Sequence, residues 1–171
     1  SSLSYRQKAQ ILVHEAGHNA RVDYFGVSTM EGYRYGTEDG EPLYVGDRDW
    51  FLAASSGKSF VAEPRISRIS NTMKIVYAVP IISDNNQIVG VLSAAVEAKL
   101  LSEAIKDIVL GKRGYCYILG LTGNTIADKD IGFVEDQYNS IEEAKTDPTQ
   151  APLASFEKQA LQAQKAGIGY Y

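Results

Sequence analysis

The first part of the chain has the hydrophobic pattern of an amphipathic helix. Apolar residues recur there at the three-to-four-residue spacing of one helical face: Leu3, then Ala9, Leu12, Val13 and Ala16. Most of the remaining positions in this stretch are polar or charged. We therefore predict a helix from residue 1 to about residue 19, with one apolar stripe packed against the rest of the protein.

Seven later segments are rich in the β-branched, aromatic and other apolar residues that are typical of strands. The predicted strands are residues 22–27, 33–35, 59–62, 74–82, 87–95, 115–119 and 125–127. Turn-forming residues at 30–32, 83–86 and 121–124 predict three antiparallel hairpins among these strands. Pro80 has no amide hydrogen to donate, so we expect it near a strand end or at a sheet edge.

Three further helices follow from the spacing of apolar residues, at 47–54, 97–110 and 153–165. Asp47 is expected near the N-cap of the first, and Gly57 and Gly111 stand where the first two would end. Residues 128–152 are mainly polar, and residues 168–171 resemble the start of another strand.

The order strand, turn, strand occurs twice along the chain, around residues 23–35 and again around residues 115–127. This repetition indicates two related modules joined by the helix predicted at 97–110. The second module would hold only one hairpin, which is marginal by itself, so we expect it to be incomplete in this chain.

Composition limits the classes of protein that need to be considered. A chain of 171 residues, 44% hydrophobic and 22% charged, can bury a core as one ordinary domain or two small ones. The net charge of −4 argues against nucleic acid as a partner. Cys116 is the only cysteine, which excludes an internal disulfide and a cysteine-based zinc site. No apolar run reaches the roughly 20 residues that span a bilayer.

One short motif is typical of zinc metalloproteases. His14 and His18 are four residues apart on the predicted helix, so both imidazoles could bind one Zn²⁺, with Glu15 as the general base. A third ligand would have to come from downstream, for example from Glu31 or Glu38, neither of which lies in a second motif. The other interpretation of the motif is that His14 and His18 simply lie on the exposed face of a helix end and bind no metal. A metalloprotease is the alternative function.

A second constellation is suited to binding a small anion. Arg48 and Trp50 lie two residues apart at the start of a predicted helix. A guanidinium can form two parallel hydrogen bonds with a carboxylate, and an indole can form the wall of a pocket. The structural alternative is that Arg48 is neutralised by Asp47 or Asp49 and that Trp50 belongs to the core.

Taken in order, eight segments resemble the extracytoplasmic double Cache domain of bacterial chemoreceptors, sensor histidine kinases and diguanylate cyclases. Each segment alone is weakly specific, but eight segments in this order and spacing are quite specific. The resemblance covers essentially the whole chain. The segments are DYFGVS (23–28), DRDWF (47–51), GKSFV (57–61), EPRISR (63–68), IVYAVPI (75–81), IVGVL (88–92), GKRGYCYI (111–118) and GNTIA (123–127).

The resemblance implies an α+β fold in which a long N-terminal helix carries two PAS-like modules, each with an antiparallel sheet. The N-terminal helix would cover residues 1–20 and the membrane-distal, ligand-binding module residues 21–96. A connecting helix would cover residues 97–110, and a partial membrane-proximal module residues 111–171.

The resemblance also implies a binding site for a small ligand. Family members that bind amino acids hold the carboxylate with an Arg-x-Trp-aromatic motif, which this chain retains as Arg48, Trp50 and Phe51. We expect these residues to bind the ligand and to shape the pocket wall. Tyr77, on the strand predicted to be central, would contribute its hydroxyl if its side chain points inward.

The residues that bind the ammonium group in such family members are changed here. The tyrosine and aspartate that follow the Glu-Pro step are Arg65 and Ser67, and an aspartate at the end of a later strand is Ala95. Without acidic partners a buried ammonium would be poorly compensated. We therefore expect a small carboxylate or a nucleobase rather than an amino acid, with Arg65 and Ser67 resetting the selectivity.

These observations together predict a non-enzymatic sensor without a cofactor, whose partner is a small-molecule ligand. We expect this domain to lie outside the cytoplasm, in the periplasm or the extracellular space. Transmembrane helices before and after it would connect it to a cytoplasmic signalling domain. A second copy of the chain is a possible partner, as in a homodimer, and nucleic acid is not expected.

Overall fold

The structure, a computed structural model, describes residues 3–18, 21–37 and 40–170, with the backbone alone for residues 15–18. It divides into two compact units, Ser1–Glu97 and Ala98–Tyr171. Both units combine helices with antiparallel strands, which confirms the predicted α+β class. Among the described residues, no helix is both long enough and apolar enough to cross a membrane.

The first unit is built around one antiparallel sheet of seven strands. Its elements are α1 (Tyr5–His18), β1 (Tyr24–Ser28), β2 (Tyr33–Gly36), β3 (Leu43–Tyr44), α2 (Asp49–Ser55), β4 (Phe60–Val61), β5 (Arg65–Ile66), β6 (Met73–Ile82) and β7 (Ile88–Glu97). The strand order is β3-β2-β1-β7-β6-β4, and β5 also pairs with β6.

The long hairpin of β6 and β7 forms where the sequence predicts it. Its turn includes Asn86, whose φ of 58° lies in the left-handed region that asparagine tolerates. Gly32 has a similar role between β1 and β2, with a φ of 88°. A Cβ at Gly32 would lie 2.7 Å from the Cα of Gly46, so a larger residue would not fit there.

The register of the strands decides which residues share one face of the sheet. Val76 pairs with Ala95, and Ala95 pairs in turn with Tyr24, so these three side chains lie on one face. Helix α2 packs against this face. The buried core of the first unit lies under α2 and includes Val45, Trp50, Phe51, Ala54, Ala62, Ala78 and Val91.

Helix α1 packs against the opposite face of the sheet. Tyr5 stacks on Tyr35 with ring centroids 5.9 Å apart, and its hydroxyl donates a 2.7 Å hydrogen bond to the carbonyl of Val89. A Cβ at Gly90 would lie 3.6 Å from the Tyr5 ring. The sheet therefore lies between α1 on one face and α2 on the other.

The second unit contains short elements. They are α3 (Lys99–Ile105), β8 (Val109–Leu110), β9 (Gly114–Tyr115), β10 (Ile118–Leu119), β11 (Thr125–Ala127), α4 (Ile131–Glu135), α5 (Ser140–Glu143), a 3-10 helix (Pro148–Gln150) and α6 (Ala151–Ala163). The strands form two hairpins, β8 with β9 and β10 with β11.

Several predictions for this unit need correction. The helix predicted at 97–110 ends at Ile105, because Val109–Leu110 instead pair with Gly114–Tyr115 around Gly111, whose φ is 64°. The strand predicted at 115–119 is divided between β9 and β10. The polar stretch at 128–152 contains short helices, and residues 168–170 form no strand in the described chain.

Candidate functional site

A cavity in the first unit lies between the α2 side of the sheet and the loops before α2 and around β5. Its volume is about 50 Å³, which is room for a few water molecules or one small ligand. The lining residues are Tyr24, Arg34, Leu43, Val45, Arg48, Trp50, Arg65, Ile66, Ser67, Arg68, Ile69, Lys74, Val76, Ser93, Ala94 and Ala95.

Four of the six residues predicted for the ligand site line this cavity. They are Arg48, Trp50, Arg65 and Ser67.

The structure does not bring the other two to the cavity. Phe51 is buried in the core beneath α2, where its ring meets that of Trp50 edge to face, at 6.3 Å and 83°. Tyr77 follows Val76 on β6, so its side chain points to the opposite face of the sheet and is 45% exposed. Phe51 therefore supports the wall from behind, and Tyr77 does not contact the cavity.

Arg48 contributes a positive charge to the lining of the cavity. It precedes α2, which begins at Asp49, and its side chain is partly buried. Burial, and then the nearby guanidinium of Arg68, lower the pKa of Arg48 from its usual value. Because arginine keeps its proton at neutral pH, this charge persists. Within the described part of the chain, Arg48 forms no ion pair, so an anionic ligand would stabilise it.

Arg65 presents a second donor group to the cavity. Its Nη2 donates a 2.6 Å hydrogen bond to Asp49, whose other oxygen accepts a 2.7 Å bond from the amide of Trp50. The Nε of Arg65 is buried and has no hydrogen-bond partner among the described residues. A buried donor without an acceptor is unfavourable, and an oxygen of a bound ligand would satisfy it.

Arg68 pairs with the loop on the other side of Arg48. Its two terminal nitrogens donate to the two oxygens of Asp47, at 3.0 and 2.6 Å, and this hydrogen bonding lowers the pKa of Asp47. Asp47 lies directly before the N-cap residue, Arg48, as expected, but its carboxylate pairs with Arg68 and does not cap the helix. The two ion pairs, Arg68 with Asp47 and Arg65 with Asp49, thus hold the segment that presents Arg48.

Ser67 acts on the cavity through a neighbouring tyrosine. Its hydroxyl lies 2.6 Å from the hydroxyl of Tyr24 and accepts a 3.1 Å hydrogen bond from the amide of Ile69. Arg34, which is buried, places its guanidinium 5.2 Å from the centroid of the Tyr24 ring. The Tyr24 side chain is therefore held in the cavity wall by Ser67 at its hydroxyl and by Arg34 at its ring.

Lys74 lies at the base of the cavity and is neutralised locally. Its ammonium donates a 2.6 Å hydrogen bond to Asp23 and a short one to Glu97. Burial alone would lower the pKa of Lys74, but these two carboxylates outweigh burial and raise it. The trio fastens β6 to the end of β7 and to the residue before β1.

Sequence reasoning missed Tyr24, Arg34, Lys74 and Ser93 as cavity residues. The available indication was their alternation along β1, β2, β6 and β7. That indication becomes usable only when the register of distant strands is known.

The charges of the lining favour an anion. Arg34, Arg48, Arg65, Arg68 and Lys74 contribute cationic side chains, and no Asp or Glu of the described residues lines the cavity. The carboxylates that balance three of these cations lie outside the lining. The arrangement can therefore bind a carboxylate by charge-assisted hydrogen bonds, but it offers no carboxylate to an ammonium group.

The alternative zinc site gains no support from the described residues. His14 lies on α1 with an exposed side chain, whereas the side chains of Glu15 and His18 lie outside the described residues. Within residues 3–14, 21–37 and 40–170, no group of three His, Cys, Asp or Glu residues could hold a metal ion.

Solved structures with the same fold are ligand-binding domains of bacterial chemoreceptors. The domain of Pseudomonas fluorescens CtaA in complex with L-serine has 19% identity and a TM-score of 0.63, over 81% of this chain and 60% of that one. The domain of Campylobacter jejuni Tlp3 in complex with 4-methylisoleucine has 15% identity and a TM-score of 0.62, over 79% of this chain and 54% of that one. The chain thus spans a little over half the length of these structures.

Comparison with curated proteins finds no significant match. The model of the Cache domain family matches residues 3–168, which is nearly the whole chain. The order of segments that resembled a Cache domain is thereby confirmed: this chain belongs to the Cache domain family.

Proposed function

We propose that this chain is the ligand-binding part of a transmembrane receptor and that its first unit binds a small carboxylate. The membership of the Cache family supports a sensor, because Cache domains of chemoreceptors bind ligands and do not catalyse reactions. In this proposal the first unit is the membrane-distal module, and the second is part of the membrane-proximal module. The domain lies outside the cytoplasm, and flanking transmembrane helices carry the signal to a cytoplasmic output domain.

The observation that carries the choice of ligand is the unsatisfied Nε of Arg65 beside Arg48. In the described chain one buried N–H lacks an acceptor, and one cation, Arg48, is attracted by Asp47 and Asp49 but forms no ion pair, at the same small cavity. A carboxylate supplies both at once, since it carries a negative charge and two acceptor oxygens.

The two structural neighbours described above are complexes with amino acids, which differ from a simple carboxylate by one additional group, the ammonium. An amino acid carries an ammonium as well as a carboxylate, and the described lining contains five cationic residues and no carboxylate. An ammonium held there would be repelled and poorly hydrogen-bonded. A nucleobase is uncharged and would give Arg48 no ion-pair partner. The small volume, about 50 Å³, favours a short monocarboxylate such as propionate.

Ligand binding can be transmitted because the sheet connects the cavity to α1. A ligand that draws Arg48 and Arg65 together changes the packing of the loops on one face, and Tyr5 fastens α1 to the other face through Val89. The ligand must bind one arrangement of these elements better than the other, or no signal results.

The test is a calorimetric titration of propionate into the wild-type chain and the Arg48→Ala variant. A charge-assisted hydrogen bond contributes about 1.5–3 kcal/mol, so binding should weaken by about 10- to 100-fold in the variant. Arg113→Ala removes an exposed arginine of the second unit and is the matched control, with unchanged affinity expected. Equal affinity of folded Arg48→Ala and wild type would contradict the proposal.

A further inference from the structure

The second unit has a cavity of its own, with a volume of about 140 Å³. Aromatic rings and two carboxylates dominate its lining. The lining residues are Tyr115, Tyr117, Thr125, Asp128, Phe133, Tyr138, Leu153 and Glu157, all within this unit. The cavity is therefore independent of the carboxylate site proposed for the first unit.

Both carboxylates are almost completely buried and form no ion pair with any described residue. Glu157 is 4% exposed and accepts hydrogen bonds from the hydroxyls of Tyr117, at 2.8 Å, and Ser140. Asp128 is also 4% exposed and accepts a 2.8 Å bond from the amide of Asp130. These donors are neutral, and no ion pair involves either carboxylate in the described chain. Two buried negative charges without a cation are costly, so a bound cation would stabilise the unit.

The aromatic rings of this cavity supply faces that attract a cation. Tyr115 and Tyr117 lie with ring centroids 6.1 Å apart, and Phe133 and Tyr138 with centroids 5.0 Å apart. The ring of Tyr115 already carries a cation on one side, since the ammonium of Lys129 lies 4.0 Å from its centroid. The negative face of such rings favours a positive charge, above all one that has left water.

We propose that this cavity binds a small alkylated ammonium ion. Its aromatic rings match the apolar, positively charged surface of a methylated ammonium, and the two buried carboxylates supply the opposite charge. Glu157 already accepts two neutral hydrogen bonds, so the ligand need not donate hydrogen bonds to it. The aromatic part of the lining favours an alkylated ammonium over a primary amine, because methyl groups pack against rings, whereas N–H donors facing them would need acceptors.

The test is a calorimetric titration of the full chain with three probes. Choline carries a trimethylammonium group, 3,3-dimethylbutan-1-ol has the same shape without the charge, and putrescine carries primary ammonium groups. We expect choline to bind with one site per chain, putrescine to bind at least fivefold more weakly, and the neutral alcohol not to bind. No choline binding, or equal binding of choline and the alcohol, would overturn the proposal, as would tighter binding of putrescine.

Two variants test whether choline binds in this cavity. Glu157→Gln removes the charge with little change of shape and should weaken choline binding at least tenfold. Glu103→Gln, at an exposed position of α3, is its control. If Glu157→Gln does not fold, Tyr115→Leu at the 41% exposed rim tests the same site, with about fivefold weaker binding expected. Tyr170→Leu, 95% exposed, is the matched control for that variant. Unchanged choline affinity in Tyr115→Leu would contradict the site, whereas Arg48→Ala should leave choline binding unaltered.

Discussion

Replacement of Lys74 by methionine should destabilise the first unit strongly. The side chain of Lys74 is 4% exposed, and its ammonium is held by two carboxylates, Asp23 and Glu97, that are each 34% exposed. Methionine retains the packing of the aliphatic stem but removes the charge and both hydrogen bonds. The variant also leaves the two carboxylates facing each other without a cation.

The expected loss is about 3 kcal/mol in the free energy of unfolding. Charge-assisted hydrogen bonds contribute about 1.5–3 kcal/mol each, and the exposure of both acceptors places each bond near the lower limit. For a unit of this size the loss corresponds to a fall in Tm of about 12 °C or more. Since the pKa of Lys74 is raised above 10.5 in the folded protein, its contribution is complete at neutral pH. It should decrease only as the pH rises through that raised pKa.

The assay is urea denaturation followed by circular dichroism, with wild type and Lys74→Met compared at pH 7 and pH 9. Lys58→Met, at an exposed position, is the control and should retain wild-type stability. Adding Asp23→Asn and Glu97→Gln to Lys74→Met should recover part of the loss, because two negative charges then no longer face each other without a cation. A loss below about 0.5 kcal/mol for Lys74→Met would refute the reasoning.

Two further substitutions test how each unit is held together. Asn139→Ala removes the side chain that caps α5, accepts from the amides of Ile141 and Glu142 and donates to the carbonyl of Thr122. It should cost about 2 kcal/mol in chemical denaturation of the second unit, and Asn139→Asp, which retains the cap, should lose less. Gly26→Ala places a Cβ 2.2 Å from the Nε of Arg34 and should lower stability by about 1–3 kcal/mol. A thermal melt that matches wild type would show that Arg34 can move aside.

The sequence identifies elements whose pattern is local. The hairpin of β6 and β7 is predicted because two long apolar stretches flank a turn rich in Asp and Asn. The helix predicted at 97–110 is too long because the apolar residues Val109 and Leu110 are equally compatible with the apolar face of a helix and with a strand. Strands of only two residues have no measurable period, so the pattern of residues cannot reveal β8 or β9.

The candidate site is predictable to the extent that it lies in one segment. Arg48 and Trp50 are two residues apart, and their neighbourhood already suggests a binding site for an anion. Lys74 reaches the same cavity only through the pairing of β6 with β7 and of β7 with β1. Tyr77 shows the limit most plainly, because a displacement of one position along a strand decides which face of the sheet a side chain occupies.

The most direct test of the central claim is a calorimetric comparison of propionate, propionamide and alanine with the wild-type chain. Propionamide retains the shape of propionate without its charge, and alanine adds an ammonium to the same carboxylate. The account predicts one propionate bound per chain, at least tenfold weaker binding of alanine, and no measurable binding of propionamide. Tighter binding of alanine than of propionate, or equal binding of propionate and propionamide, would contradict it.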